Sequence, residues 1–157
     1  MHKNFIIMQL IMNLSLTFER IDAIIFIEDE WKDSPRMNNI IFYEDKNGKS
    51  ELNDELMDLA KKSLTNKDAR IQLKQIMFCI ELLKNRGTRL PVNITKHIKE
   101  DIWELRPGNN RVLYFYFKDS VYVLLHMFRK DTQKTPRAEI EKAERECNDY
   151  KERNGGK

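Results

Sequence analysis

The chain is poor in several features that would narrow its role. Among 157 residues there are only two cysteines, three histidines, five glycines and four prolines. Cys79 and Cys147 lie far apart, neither in a CxxC pair and each inside a helical pattern. That usage favours reduced thiols in a cytoplasmic protein over a disulfide or a zinc site. No set of histidines, cysteines and carboxylates has the spacing of metal ligands, so no metal and no cofactor are expected. The longest apolar stretch, Phe5 to Leu16, is interrupted by Gln9 and Asn13 and is too short to span a bilayer. Only Lys3 supplies a basic flank and no small-residue cleavage site follows, so neither a signal peptide nor a membrane partner is expected. Internal repeats and low-complexity tracts are also lacking.

What is present is an ordinary globular composition, 41% hydrophobic and 34% charged, at a length suited to one domain. The net charge of +3 is unevenly spread. Residues 1–36 carry four cations against six acids, which leaves +5 for the remainder. Lys84 to Lys99 holds five cations and no acid; Arg106 to Arg137 holds seven against Asp119 and Asp131. Two basic stretches in one small domain point to a polyanion, nucleic acid first, although a solvated charged surface would give the same composition.

The segment 1–36 matches no familiar linker, whereas Met37 opens a new pattern. We therefore expect residues 1–36 to be an N-terminal extension, even a mis-annotated start, and 37–157 to be the domain. A genuine extra helix or strand is the competing reading. From Met37 onward, Ile40–Tyr43 reads as a strand and Asn47-Gly48 as a turn. Leu52, Leu56, Leu59 and Ala60 then mark one face of a helix. Thr65-Asn66 can cap a second helix whose stripe is Ala69, Leu73, Ile76, Met77, Ile80 and Leu83, widened by Phe78 and Leu82 and stopped by Gly87. The period then changes to two. Ile94–Ile98, Asp101–Arg106, Arg111–Phe117 and Val121–Phe128 read as strands, the last two apolar on both faces and hence central. Thr135-Pro136 gives an N-cap and first-turn proline for a last helix bearing Ile140, Ala143, Cys147 and Tyr150. The order is that of an α+β domain: two N-terminal helices on a mainly antiparallel sheet of four to five strands, plus a C-terminal helix.

The chemistry concentrates in LLHMFRKDTQKTP, Leu124 to Pro136. Hairpin geometry should bring Arg111, Arg129 and Lys130 to one edge, overhung by Thr132, Gln133 and Lys134. Guanidinium forks match phosphate oxygens, and several converging on one phosphate would stabilise the charge of phosphoryl transfer. Three groups could move protons. His126 has a suitable intrinsic pKa but lies in an apolar strand, so it is catalytic or structural. Glu104 could be a base beside Arg106, or half of a sheet-surface ion pair. Lys130 or Lys134 could be an acid or simply bind backbone. Trp103, Tyr114 and Tyr116 are core by default, base-stacking otherwise.

The segments IIFYEDKNGKSELNDEL, DIWELRPGNNRVLYFYF and VYVLLHMFRKDTQKTPRAEIEKAERECNDY together resemble the RelE/ParE toxin superfamily, in its phage-derived HigB-like branch. The resemblance runs from about Met37 to Arg153. It implies a RelE-like fold and a type II toxin that enters the ribosome and cuts mRNA by metal-independent attack of a 2′-hydroxyl. Arg111 matches the family's transition-state arginine, and Arg129 and Lys130 match its basic residues on the last strand. Arg106, Lys134, Thr132, Gln133, Arg89, Lys96, His97 and Lys99 would bind RNA. The family's basic residues on the preceding strand are replaced here by Ile102 and Glu104, and its final-helix tyrosine is absent. The implied partners are the ribosome, mRNA and a cognate helix-turn-helix antitoxin. A ParE-type gyrase-binding toxin without nuclease activity and an inactive prophage homologue are the alternatives.

Overall fold

The computed structural model describes residues 38–155; the expectation about residues 1–36 lies outside them. Strand β1 (Asn39–Phe42) precedes helices α1 (Glu51–Ser63) and α2 (Lys67–Arg86). Strands β2 (Thr95–Lys99), β3 (Ile102–Leu105), β4 (Asn110–Tyr116) and β5 (Val121–Arg129) follow, and helix α3 (Arg137–Gly155) ends the chain. This is the expected α+β order, with strand ends displaced by a residue or so.

Both early helices begin where the sequence supplies an acceptor. Ser50 Oγ accepts from the Asn53 amide at 3.2 Å, and Asn66 Oδ1 from the Ala69 amide at 2.9 Å. Each satisfies an amide that the first turn leaves without a partner. α2 stops at Gly87, whose φ of +59° suits a residue without a side chain; a Cβ there would also meet the Tyr122 hydroxyl at 2.5 Å. The expected α2 stripe is buried, and Cys79 joins it. Phe78 corrects the sequence reading: it is 39% exposed. It sits about 200° around the helix from both Ile76 and Ile80, which puts it on the outer side.

The sheet has five strands in the order β1-β5-β4-β3-β2. Three pairings are antiparallel, and β1 runs parallel to β5. β4 and β5 are flanked on both sides, as their two apolar faces require. A tight turn joins them, with Asp119 and Ser120 at φ +52° and +62° and the Val121 amide donating to the Lys118 carbonyl at 3.0 Å. Two successive positive φ values give a turn whose twist matches that of the strands.

One sheet face lies under α1 and α2. There Asn110 Nδ2 donates to Gln72 Oε1 at 3.1 Å. The other face packs on α3, where Ile102, Leu113, Phe115, Val123 and Leu125 meet Ala143 and Cys147. One irregularity decides which β5 residues take which face. Leu113 pairs with His126 but Tyr114 pairs with Leu124, leaving Leu125 as an extra residue. Such a bulge reverses the alternation beyond it. Tyr122 and Leu124 thus share the α1–α2 face with Met127 and Arg129, while His126, Phe128 and the following Lys130 turn toward α3.

No helix among the described residues is long and apolar enough to cross a membrane. Nor do the described residues contain a group of three or more potential metal ligands.

Candidate functional site

β3 and β4 meet across the turn Pro107–Asn109, and at that end of the sheet several charges collect on the α3 face. Glu104 is at the centre. It is 1% exposed, and its two oxygens have different company. Oε2 accepts a hydrogen bond from the Thr135 hydroxyl at 2.5 Å. Oε1 lies 3.4 Å from Arg106 Nε and 3.6 Å from Arg111 Nε. The Glu104–Arg106 pair expected on the sheet surface therefore exists as a buried contact, because Glu104 faces the α3 side of a covered sheet. The Thr135 hydroxyl, expected to cap α3, goes instead to this carboxylate; the Pro136 carbonyl starts the helix by accepting from the amides of Glu139 and Ile140.

The two guanidinium groups are fixed from both sides. Arg106 Nη1 donates to the Val92 carbonyl at 3.0 Å, and Arg111 Nη1 donates to the carbonyls of Gly108 and Asn110 at 2.6 and 2.7 Å. The Nε of each is buried without a well-aligned acceptor. Neither Nη2 has a hydrogen bond among the described residues. Arg111 stands at a strand start, where side chains are commonly exposed. Only 12% of its side chain is, because the carboxylate and the turn carbonyls draw it inward. Burial lowers its pKa most, and the charge of Arg106 adds to that, opposed by Glu104.

Lys130 completes the group. Its amide donates to the Asn109 carbonyl at 2.8 Å. Partial burial first, then the charges of Arg111, Arg106 and Lys96, lower its amine pKa, with Glu104 alone acting in the other direction. Lys96 pairs with Glu104 across β2 and β3 and so shares its face. Two guanidinium groups contact one carboxylate, with Lys130 and Lys96 on the same face, an excess of positive charge that an anion would relieve.

Residues 54–148 match the family described as Phage derived protein Gp49-like (DUF891), a span from within α1 to within α3 that exceeds half of the chain. The chain belongs to this family. No curated protein matches this Gp49-like chain. Among solved structures it is similar to the archaeal RelE–RelB complex from Pyrococcus horikoshii OT3. That likeness has a TM-score of 0.45 at 14% identity and covers 61% of this chain and 98% of that one. It is also similar to the toxin–antitoxin complex RelBE2 from Mycobacterium tuberculosis. There the TM-score is 0.36 at 13% identity, over 64% of this chain and all of that one.

Other sequence candidates of this Gp49-like chain lie elsewhere. Arg129 pairs with Asn110, whose side chain reaches α2, so the expected trio of Arg111, Arg129 and Lys130 is divided between the two faces. The bulge at Leu125 is the cause: without it Arg129 would stand where Lys130 does. His126 is 1% exposed, with Nδ1 2.6 Å from Glu146 Oε2 and Nε2 2.8 Å from Glu139 Oε2. Both ring nitrogens are engaged by α3, which makes the histidine a sheet-to-helix clamp. His97 lies on the opposite face from Lys96, 2.6 Å from the Glu100 carbonyl and packed on Trp103. Lys99 is tied to Glu144 of α3. Arg89 is near Tyr122, at the far end of β5 from Lys130. Thr132, Gln133 and Lys134 are exposed between the two groups, Thr132 donating to the Lys134 carbonyl at 2.7 Å. Tyr114 is core and bonds Thr95 at 2.6 Å; Tyr116 is 47% exposed, again at the far end.

Proposed function

We propose that this chain is the toxin of a type II toxin–antitoxin pair and acts in the cytoplasm as a ribosome-dependent mRNA endonuclease. The observation that supports this best is the contact of Arg106 and Arg111 with buried Glu104, with Lys130 near enough to feel all three charges; among the described residues neither Nη2 has a hydrogen bond. The reaction class is attack of a ribose 2′-oxygen on the adjacent phosphorus. The P–O5′ bond breaks and leaves a cyclic phosphate and a 5′-hydroxyl. A proton is lost from the 2′-hydroxyl and one is gained by the departing oxygen. Arg106 and Arg111 would face the phosphoryl oxygens, where charge builds in the transition state. Lys130, its pKa already lowered, would deliver the proton to the 5′-oxygen. The mechanism needs no metal. Lys134, Thr132 and Gln133 would hold the flanking backbone, and a small helix-turn-helix antitoxin would cover this basic end.

Expressing residues 37–157 in a translating extract and mapping mRNA 5′ ends tests the proposal. Cuts at fixed positions within codons support it. A binding-only reading is favoured by one fact: His126 and Glu104, the two obvious proton carriers, are both buried. In expressing cells, arrested growth with intact mRNA and damaged DNA would support that gyrase-directed alternative, and no effect in either assay would indicate an inactive homologue.

A further inference from the structure

Glu104 stands where a general base could be sought, yet its surroundings suit a different task. A base must come within about 3 Å of the hydroxyl it deprotonates. Glu104 is 1% exposed and both its oxygens face inward, one toward Thr135 and one toward Arg106 and Arg111. Among the described residues, the segment that follows β5 is fastened at two points. Lys130 bonds Asn109 through the backbone, and 31 residues from Glu104 in sequence Thr135 bonds the carboxylate. Between these points Asp131 to Lys134 are exposed, and Thr132 donates to the Lys134 carbonyl. One carboxylate thus orients two guanidinium groups and pins the segment that carries Lys134 beside them.

We propose that Glu104 is a positioning residue: its charge sets Arg106 and Arg111, and its bond to Thr135 ties the 130–135 segment over the basic end of the sheet. The catalytic consequences rest on the nuclease reading above; the structural ones do not.

Three full-length variants test this: Thr135→Val, Thr135→Ser and Glu104→Gln. In proton–nitrogen NMR spectra the Nε–Hε signals of Arg106 and Arg111 should stand apart from those of exposed arginines, and should merge with them in Glu104→Gln. Amide exchange of residues 131–134 should quicken in Thr135→Val and return to the native rate in Thr135→Ser. On programmed ribosomes, Thr135→Val should lose roughly tenfold to a hundredfold in kcat through misplacement, with the serine variant restoring it. Glu104→Gln should lower the rate while leaving both limbs of the pH profile in place. Loss of the acidic limb in Glu104→Gln would identify a base and overturn the proposal. So would native exchange and native kcat in Thr135→Val. Should the unmodified protein cut no mRNA, the nuclease reading fails, while the NMR and exchange data still decide whether Glu104 positions these groups.

Discussion

Arg111 carries its charge into a place where solvent reaches only 12% of its side chain, and that placement gives it two duties. Under the proposed nuclease reading it faces the transferring phosphate, and it helps neutralise Glu104. Arg111→Ala should therefore lower mRNA cleavage by about a hundredfold or more, the range seen when a transition-state donor is removed. It should also destabilise the fold by about 1–3 kcal/mol, because a buried carboxylate loses one of its counter-charges. Urea unfolding beside the cleavage assay separates the two effects; an unchanged midpoint would show that Arg106 and Thr135 suffice for Glu104. The sequence alone placed Arg111 at a sheet edge and gave no sign of its second duty. A strand start next to a Pro-Gly turn gives no hint that two turn carbonyls will draw the guanidinium back. The inward position of Glu104 was also missed, although in IWELR Ile102, Glu104 and Arg106 alternate onto one face and Ile102 is core.

At the scale of elements, α3 is held by more than its apolar stripe. His126 stands between Glu139 and Glu146, seven residues and about two helical turns apart. His126→Ala would leave two partly buried carboxylates facing each other across a cavity. The expected loss is about 2–4 kcal/mol, visible as a lower denaturation midpoint, with cleavage by the remaining folded protein retained. The other end of α3 is tied to Tyr43, whose hydroxyl donates to Asp149 at 2.8 Å. Burial, then that bond and the nearby carboxylates, push the Tyr43 phenol from 10.0 up to about 12. A group that holds its proton more tightly when folded contributes stability that is complete below pH 10 and is lost as the pH climbs toward 12. Tyr43→Phe should lose less stability than the unmodified protein across that interval, measured by unfolding at a series of pH values. Tyr114, Tyr122 and Tyr150, also raised by burial, will keep part of the alkaline decline.

The caps and turns of these elements were legible because their signals are local: Asn66, Gly87 and the Lys118–Ser120 connection each act within a few residues. The Leu125 bulge was not. Nothing in VYVLLHMFR marks one leucine as the extra residue, yet it exchanges Arg129 for Lys130 beside Arg111 and aims His126 at α3. The two glutamates that occupy His126 arrive from 13 and 20 residues away, beyond the reach of a strand pattern.

For the molecule as a whole, a net charge of only +3 hides a basic end on the sheet. Binding of single-stranded RNA there should weaken as salt rises, by a log–log slope of about −0.7 for each phosphate neutralised. Lys130→Ala should make that slope shallower by about 0.7, and Arg129→Ala should change it less, because Arg129 lies on the other face. Fluorescence anisotropy between 50 and 200 mM salt, a range over which such contacts lose orders of magnitude in affinity, measures both. Equal slopes for the two variants would place the strand alternation in error.

The parallel pairing of β1 with β5 joins the first described strand to the last, across about eighty residues of intervening chain. Closing so long a loop is entropically costly and slow, so this pairing should form late. Until β5 has been synthesised, Asn39–Phe42 has no ladder to join and the α2 stripe has no finished sheet beneath it. A nascent chain would therefore expose apolar surface for most of its synthesis, and its basic rim would assemble only after the last strand is in place. Chaperone dependence during translation, tracked by pulse-labelling, is where that topology should show itself in the cell.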